Sequence, residues 1–128
     1  MRIAKLLWAG AVALALGIAT PTLAADIAAG EKVFKKCKAC HVVDPAKKSK
    51  ATGPNLFGVY GSAAAARRAD FKYSKALKAS GLTWDEVTLD KWLTKPKSLV
   101  KKTKMAFPGL KKEADRANVI AYLKTLAE

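Results

Sequence analysis

Apolar residues recur at helical spacing in three parts of the chain, and nowhere do they alternate over the length of a strand. Ile27, Gly30, Val33, Phe34 and Cys37 share one face, which predicts a helix over residues 27–38. Asp26 stands where an N-cap belongs. Leu89, Trp92 and Leu93 form a second apolar face, in a helix starting near Trp84. Thr83-Trp84-Asp85-Glu86 reads as its capping box and Pro96 as its stop. Val119, Ile120, Tyr122, Leu123 and Leu126 give the third stripe, over residues 112–126. Between these segments lie turn formers: Pro45, Gly53-Pro54-Asn55-Leu56, Gly58 and Gly61. Residues 63–68 read as a short helix or a loop, and residues 98–101 as a short piece before a methionine segment. The class is all-α.

The first apolar run is of another kind. Arg2 and Lys5 precede 14 apolar or small residues at 6–19, and Thr22-Leu23-Ala24 follows with small residues at cleavage spacing. That is the layout of a secretory signal peptide, and the run is short of the roughly 20 residues of a membrane span. Residues 1–25 are expected to be removed by cleavage after Ala24 or Ala25. Residues 26–128 then form one domain with no membrane span, exported to the periplasm.

Charge narrows the partners. Without Arg2 and Lys5 the chain keeps 22 basic against 10 acidic side chains, a net of +12. Such a field steers acidic partners. It would also suit nucleic acid, which an exported protein seldom meets, so no nucleic-acid partner is expected.

Cys37-Lys38-Ala39-Cys40-His41 reads C-x-x-C-H, the attachment signature of c-type haem. Two thiols at this spacing reach two vinyl groups of one porphyrin, and the next residue offers an imidazole to the iron. Three other uses compete. A thioredoxin-like pair needs a βαβ context, which is missing. Zinc needs four ligands, but His41 is the sole histidine and there is no third cysteine. A plain disulfide suits an oxidising compartment. For the sixth iron position the segment after residue 25 has one methionine, Met105, among Lys, Pro and Gly, which suits a loop. A thioether is a soft ligand that favours ferrous iron. With both axial positions filled the protein exchanges electrons without binding substrate. A vacant sixth position would instead make a ligand-binding or peroxidase-like protein, and a disulfide without haem would leave a basic binding module.

The order of haem motif, Gly53-Pro54-Asn55-Leu56 and Thr103-Lys104-Met105 before a last helix resembles the class I c-type cytochromes, close to bacterial cytochrome c2 and mitochondrial cytochrome c. The match covers nearly all of residues 26–128. It implies a small cytochrome c fold, with N- and C-terminal helices crossing and loops wrapped around one covalent haem c. It also implies a monomeric electron carrier, not an enzyme, with no catalytic residues. Cys37 and Cys40 would hold the haem, and His41 and Met105 would be the axial iron ligands. Gly30 and Phe34 would cross the last helix near Val119 and Tyr122. Pro54 would accept the Nδ1 proton of His41. Tyr73 and Trp84 would bond one propionate, Thr103 would sit by the other, and Phe107 would pack at the exposed haem edge. Lys36, Lys38, Lys97, Lys104 and Lys111 would ring that edge and dock on acidic faces of redox partners: a cytochrome bc complex as donor, and a terminal oxidase, photosynthetic reaction centre or periplasmic reductase as acceptor. The chain departs from the family pattern at Ser62, usually Arg, where Arg67 or Arg68 is the candidate replacement. It departs also at Lys101-Lys102, usually Pro-Gly, at Trp92, usually Tyr, and at Leu77, usually Asn.

Overall fold

The structure, a computed structural model, describes Gly17 and residues 24–127. The expected signal segment falls outside the described residues except for Gly17, Ala24 and Ala25. Five helices are present among the described residues: α1 (Ile27–Phe34), α2 (Lys75–Ala79), α3 (Glu86–Thr94), α4 (Pro96–Leu99) and α5 (Glu113–Thr125). Pairing of β type is confined there to two isolated bridges. None of these helices is long and apolar enough to cross a membrane.

The crossing of α1 and α5 is the frame. Asp26 caps α1, its Oδ1 accepting from Ala29 N at 3.1 Å, and its own N–H donates to Asn118 Oδ1 on α5 at 2.8 Å. Gly30 lies at the crossing, where a Cβ would run into the Asn118 carbonyl. Phe34 and Val119 are each 1% exposed, and the Phe34 and Tyr122 rings stand 5.5 Å apart. The expected crossing is therefore present. The α3 face closes the core with Leu89, Trp92 and Leu93, all buried, against Val119, Ile120 and Leu123 of α5.

The local expectations are met only in part. Helix α1 stops at Phe34, short of residue 38. Beyond it Lys35, Lys36 and Cys37 donate to Lys32, Val33 and Phe34, so the chain tightens to three residues per turn. Thr83 does not cap α3. Backbone 61–64 pairs with 82–84 through Ala64 N to Leu82 O at 2.8 Å and Trp84 N to Ser62 O at 2.9 Å. That pairing keeps Thr83 and Trp84 extended, so Asp85 caps the helix by accepting from Thr88 N at 2.8 Å. Helix α3 ends at Thr94 ahead of Pro96, as expected, and Pro96 then opens α4 at its first turn, where its missing N–H costs nothing. Helix α2 carries too few apolar residues for a periodic signal; Ser74 caps it, accepting from Leu77 N.

Candidate functional site

One deep cleft lies between the α1–α5 frame and the loops, and holds about 1120 Å³ of space with its open mouth included. Cys37, His41, Pro54, Tyr73, Trp84, Thr103 and Met105 all line it. The rest of its wall is largely apolar, with Leu56, Val59, Leu77, Leu89 and Trp92. Cys40 and Phe107 stand outside that lining. Cys40 is exposed. Phe107 is half-buried and packs against the core cluster, on the segment that ends at the bond from Leu110 N to Leu93 O at 2.7 Å.

The cysteine–histidine segment is one turn. Cys40 N and His41 N both donate to Cys37 O, at 3.1 and 2.9 Å. His41 is buried, and its Nδ1 lies 2.7 Å from Pro54 O. A carbonyl only accepts, so Nδ1 carries the proton. Burial lowers the pKa of the ring, opposed by the bond to Pro54 and reinforced by the charge of Lys50. The imidazole is thus neutral at pH 7, and its other nitrogen presents a lone pair. Gly53 lies against this ring: a Cβ there would come within 2.6 Å of Cys40 O and 2.7 Å of His41 Cε1.

Burial raises the Cys37 pKa, with Cys40 adding to the rise and Lys36 opposing it. A nucleophilic redox dithiol needs the opposite shift. No disulfide joins Cys37 to Cys40. Burial also raises the pKa of the Tyr73 phenol, which leaves an O–H donor in the cleft wall.

On the other chain segment, Met105 N donates to Thr103 Oγ1 at 3.2 Å. Thr103 N reaches Val100 O at 3.1 Å. Behind this loop Arg116 bonds Asp90 Oδ1 at 2.7 Å and the Leu110 carbonyl at 2.9 Å, fastening its far end to α3 and α5.

The donor set answers whether a c-type haem suits these residues. The cleft offers a neutral imidazole, a thioether, a thiol in its wall with a second thiol three residues on, and an apolar lining. Each is what an iron porphyrin with vinyl groups requires. The matching model is that of cytochrome c, over residues 27–127. The chain belongs to the cytochrome c family. Its relatives include cytochrome c2 of Rhodomicrobium vannielii, 55% identical over 102 residues that make 80% of this chain and 80% of that one. Cytochrome c-554 of Methylosinus trichosporium is 46% identical over 121 residues, 94% of this chain and 90% of that one. Among solved structures, cytochrome cH from Methylobacterium extorquens superposes with a TM-score of 0.73 at 48% identity, covering 78% of this chain and 98% of that one. As a cytochrome c, the chain carries one covalently attached haem c and is an electron carrier rather than an enzyme.

Several residues that build the site are inconspicuous in the sequence. Asn55, 1% exposed, donates from Nδ2 to the carbonyls of Asp44 and Lys47, both at 2.8 Å, and accepts from Phe57 N at 3.0 Å. It knits the loop before Pro54 to the loop after it. The two arginines part company. Arg68 donates to the carbonyls of Asn55 and Phe57, whereas Arg67 lines the cleft with its guanidinium over Gly58. Ser62 Oγ is turned to Val59 O at 2.7 Å. A polar residue directly after Gly-Pro was the one available hint for Asn55.

Proposed function

We propose that this protein carries single electrons in the periplasm between redox complexes, with His41 and Met105 as axial ligands of one haem held by Cys37 and Cys40. The observation that carries the reading is the tautomer of His41: its Nδ1 proton is committed to Pro54 O, so the opposite nitrogen faces the cleft that Met105 also lines. Haem c supplies a one-electron ferric–ferrous couple. The chain supplies the rest. The Cys37 and Cys40 thiols would hold the haem by thioethers to its two vinyl groups, each S–C and C–H bond replacing an S–H and a C=C π bond with no net redox change. Pro54 fixes the histidine ring as outer partners of metal ligands do. The Met105 sulfur would hold the iron from the other wall of the cleft, which would leave no substrate site. Tyr73, Trp84 and Thr103 are the proposed propionate partners. Phe107, half-buried beside the Met105 segment, is proposed to pack at the exposed haem edge.

Docking on acidic faces follows from the lysines. Lys36, Lys38, Lys97, Lys104 and Lys111 are all exposed. Lys124 is exposed too, but its Nζ lies 3.5 Å from Glu86 and 5.1 Å from the Tyr60 ring centroid. Charges at an interface rim act mainly on the association rate. The screening length falls from about 30 Å at 0.01 M to about 8 Å at physiological salt. Stopped-flow electron transfer to an acidic partner should therefore slow steeply over that range. Lys97→Glu or Lys104→Glu should slow it far more than Lys124→Glu, with the reduction potential nearly constant. A flat salt profile, or equal effects at Lys97 and Lys124, would contradict the lysine-guided docking.

A further inference from the structure

The carbonyls of Lys38 and Ala39 belong to a turn that ends at His41 without continuing as a helix. Carbonyls at such an end lack helical partners and need others. Lys50 provides one. Its Nζ donates to Lys38 O at 2.6 Å and lies 3.5 Å from Ala39 O. A cation over the exposed carbonyls of a terminal turn is electrostatically favoured.

The arm starts from a fixed base. Lys50 N donates to Gly53 O at 3.1 Å, and Gly53 N returns to Lys50 O at 3.3 Å. Gly53 is the residue that rests on the His41 ring, and the next carbonyl, Pro54 O, accepts the hydrogen bond from its Nδ1–H. The short turn 50–54 therefore grips the turn 37–41 from three directions. Lys50 and His41 also line one shallow outer cleft, so the ammonium stands on the histidine side of the site. Its neighbours are employed otherwise. Lys47 pairs with Asp44 at 3.7 Å in the open, and Lys48 is exposed.

We infer that Lys50 is a positioning residue: it clamps the cysteine–histidine turn through the Lys38 and Ala39 carbonyls and fixes a positive charge on the histidine side that favours the reduced protein. The inference rests on His41 as iron ligand only for its second half, since the clamp is a matter of backbone geometry. A hydrogen bond from a charged donor is worth more than a neutral one. The charge acts through its fixed place, whereas a solvated lysine averages over many positions.

The test compares holoprotein Lys50→Gln, Lys50→Arg and Lys48→Gln, the first and last having the same net charge. Amide hydrogen exchange at Cys40 and His41 should be about tenfold faster in Lys50→Gln, and near the parent rate in the other two. The midpoint potential at low salt should fall in Lys50→Gln, stay near the parent in Lys48→Gln and be restored in Lys50→Arg. Unchanged exchange at Cys40 and His41 in Lys50→Gln overturns the clamp. Equal potentials in Lys50→Gln and Lys48→Gln overturn the fixed charge. Failure of the ligand assignment itself is read separately, in the parent's own absorption spectrum.

Discussion

The two sides of the cleft are held in opposite ways. The histidine side is tied at its centre: Pro54 O on the ring, Gly53 against it, Lys50 on the turn, and Asn55 binding the neighbouring loops together. The methionine side is tied at its ends, by Thr103 N on Val100 O and by Leu110 and Arg116. Between those ends Met105 packs against the core and its backbone N–H bonds the nearby Thr103 hydroxyl. A ligand held at its centre moves only if the whole wall moves. One suspended between two anchors opens locally. The contrast predicts that changes on the histidine side are felt as global stability, and changes on the methionine side as local opening.

Asn55→Ala should break this contrast most severely. It strips the Asp44 and Lys47 carbonyls of their donor and leaves the Phe57 N–H without its acceptor in a buried place. Denaturant unfolding should show a loss of about 3 kcal/mol. Gly53→Ala should follow, because the added Cβ meets the Cys40 carbonyl and the His41 ring. A cost of about 2 kcal/mol is expected in the same assay, as for overpacking elsewhere. Thr103→Val acts on the other side. It should leave the unfolding midpoint nearly unchanged while exchange of the Met105 amide quickens about fivefold, the local equivalent of about 1 kcal/mol. A global loss from Thr103→Val as large as that from Asn55→Ala would remove the distinction.

The smallest effect is one of pH. Asp70 accepts from the Ser49 backbone N–H at 2.7 Å and from its hydroxyl at 2.8 Å. These bonds hold its carboxyl below the usual range. A depressed carboxylate contributes stability that is complete above the unfolded value, near about 3.9. That contribution fades as pH falls through the lower folded value. The side chain is exposed, so the effect is small. An acid titration of stability should be shallower in Asp70→Asn than in the parent, and the two should diverge only above the folded value.

How far the sequence spoke depended on the range of the interaction. The stripes of α3 and α5 were legible because Leu89, Trp92 and Leu93, and Val119, Ile120 and Leu123, repeat at one spacing and are all buried. The Cys37–His41 turn and Met105 were legible because their chemistry is rare: one histidine and one methionine beyond residue 25. Helix α2 was missed, since Lys75–Ala79 is too short to show a period. Thr83 was misread as a cap because pairing with residues 61–64, some twenty positions away, overrode a sound local signal. Arg67 and Arg68 differ in where they reach, the first lining the cleft and the second bonding the Asn55 and Phe57 carbonyls. Nothing in Arg-Arg distinguishes the two. Lys50 was one lysine among many until its amine met the turn that carries His41.

The central claim is that the two sides of the cleft close on one iron through His41 and Met105. The most direct measurement is the near-infrared sulfur-to-iron charge-transfer band of the oxidised holoprotein, recorded for the parent and for Met105→Ala. The account predicts a band in the parent and its loss in Met105→Ala, with covalent haem retained and carbon monoxide binding gained. A parent without the band, or a band that survives Met105→Ala, would contradict it.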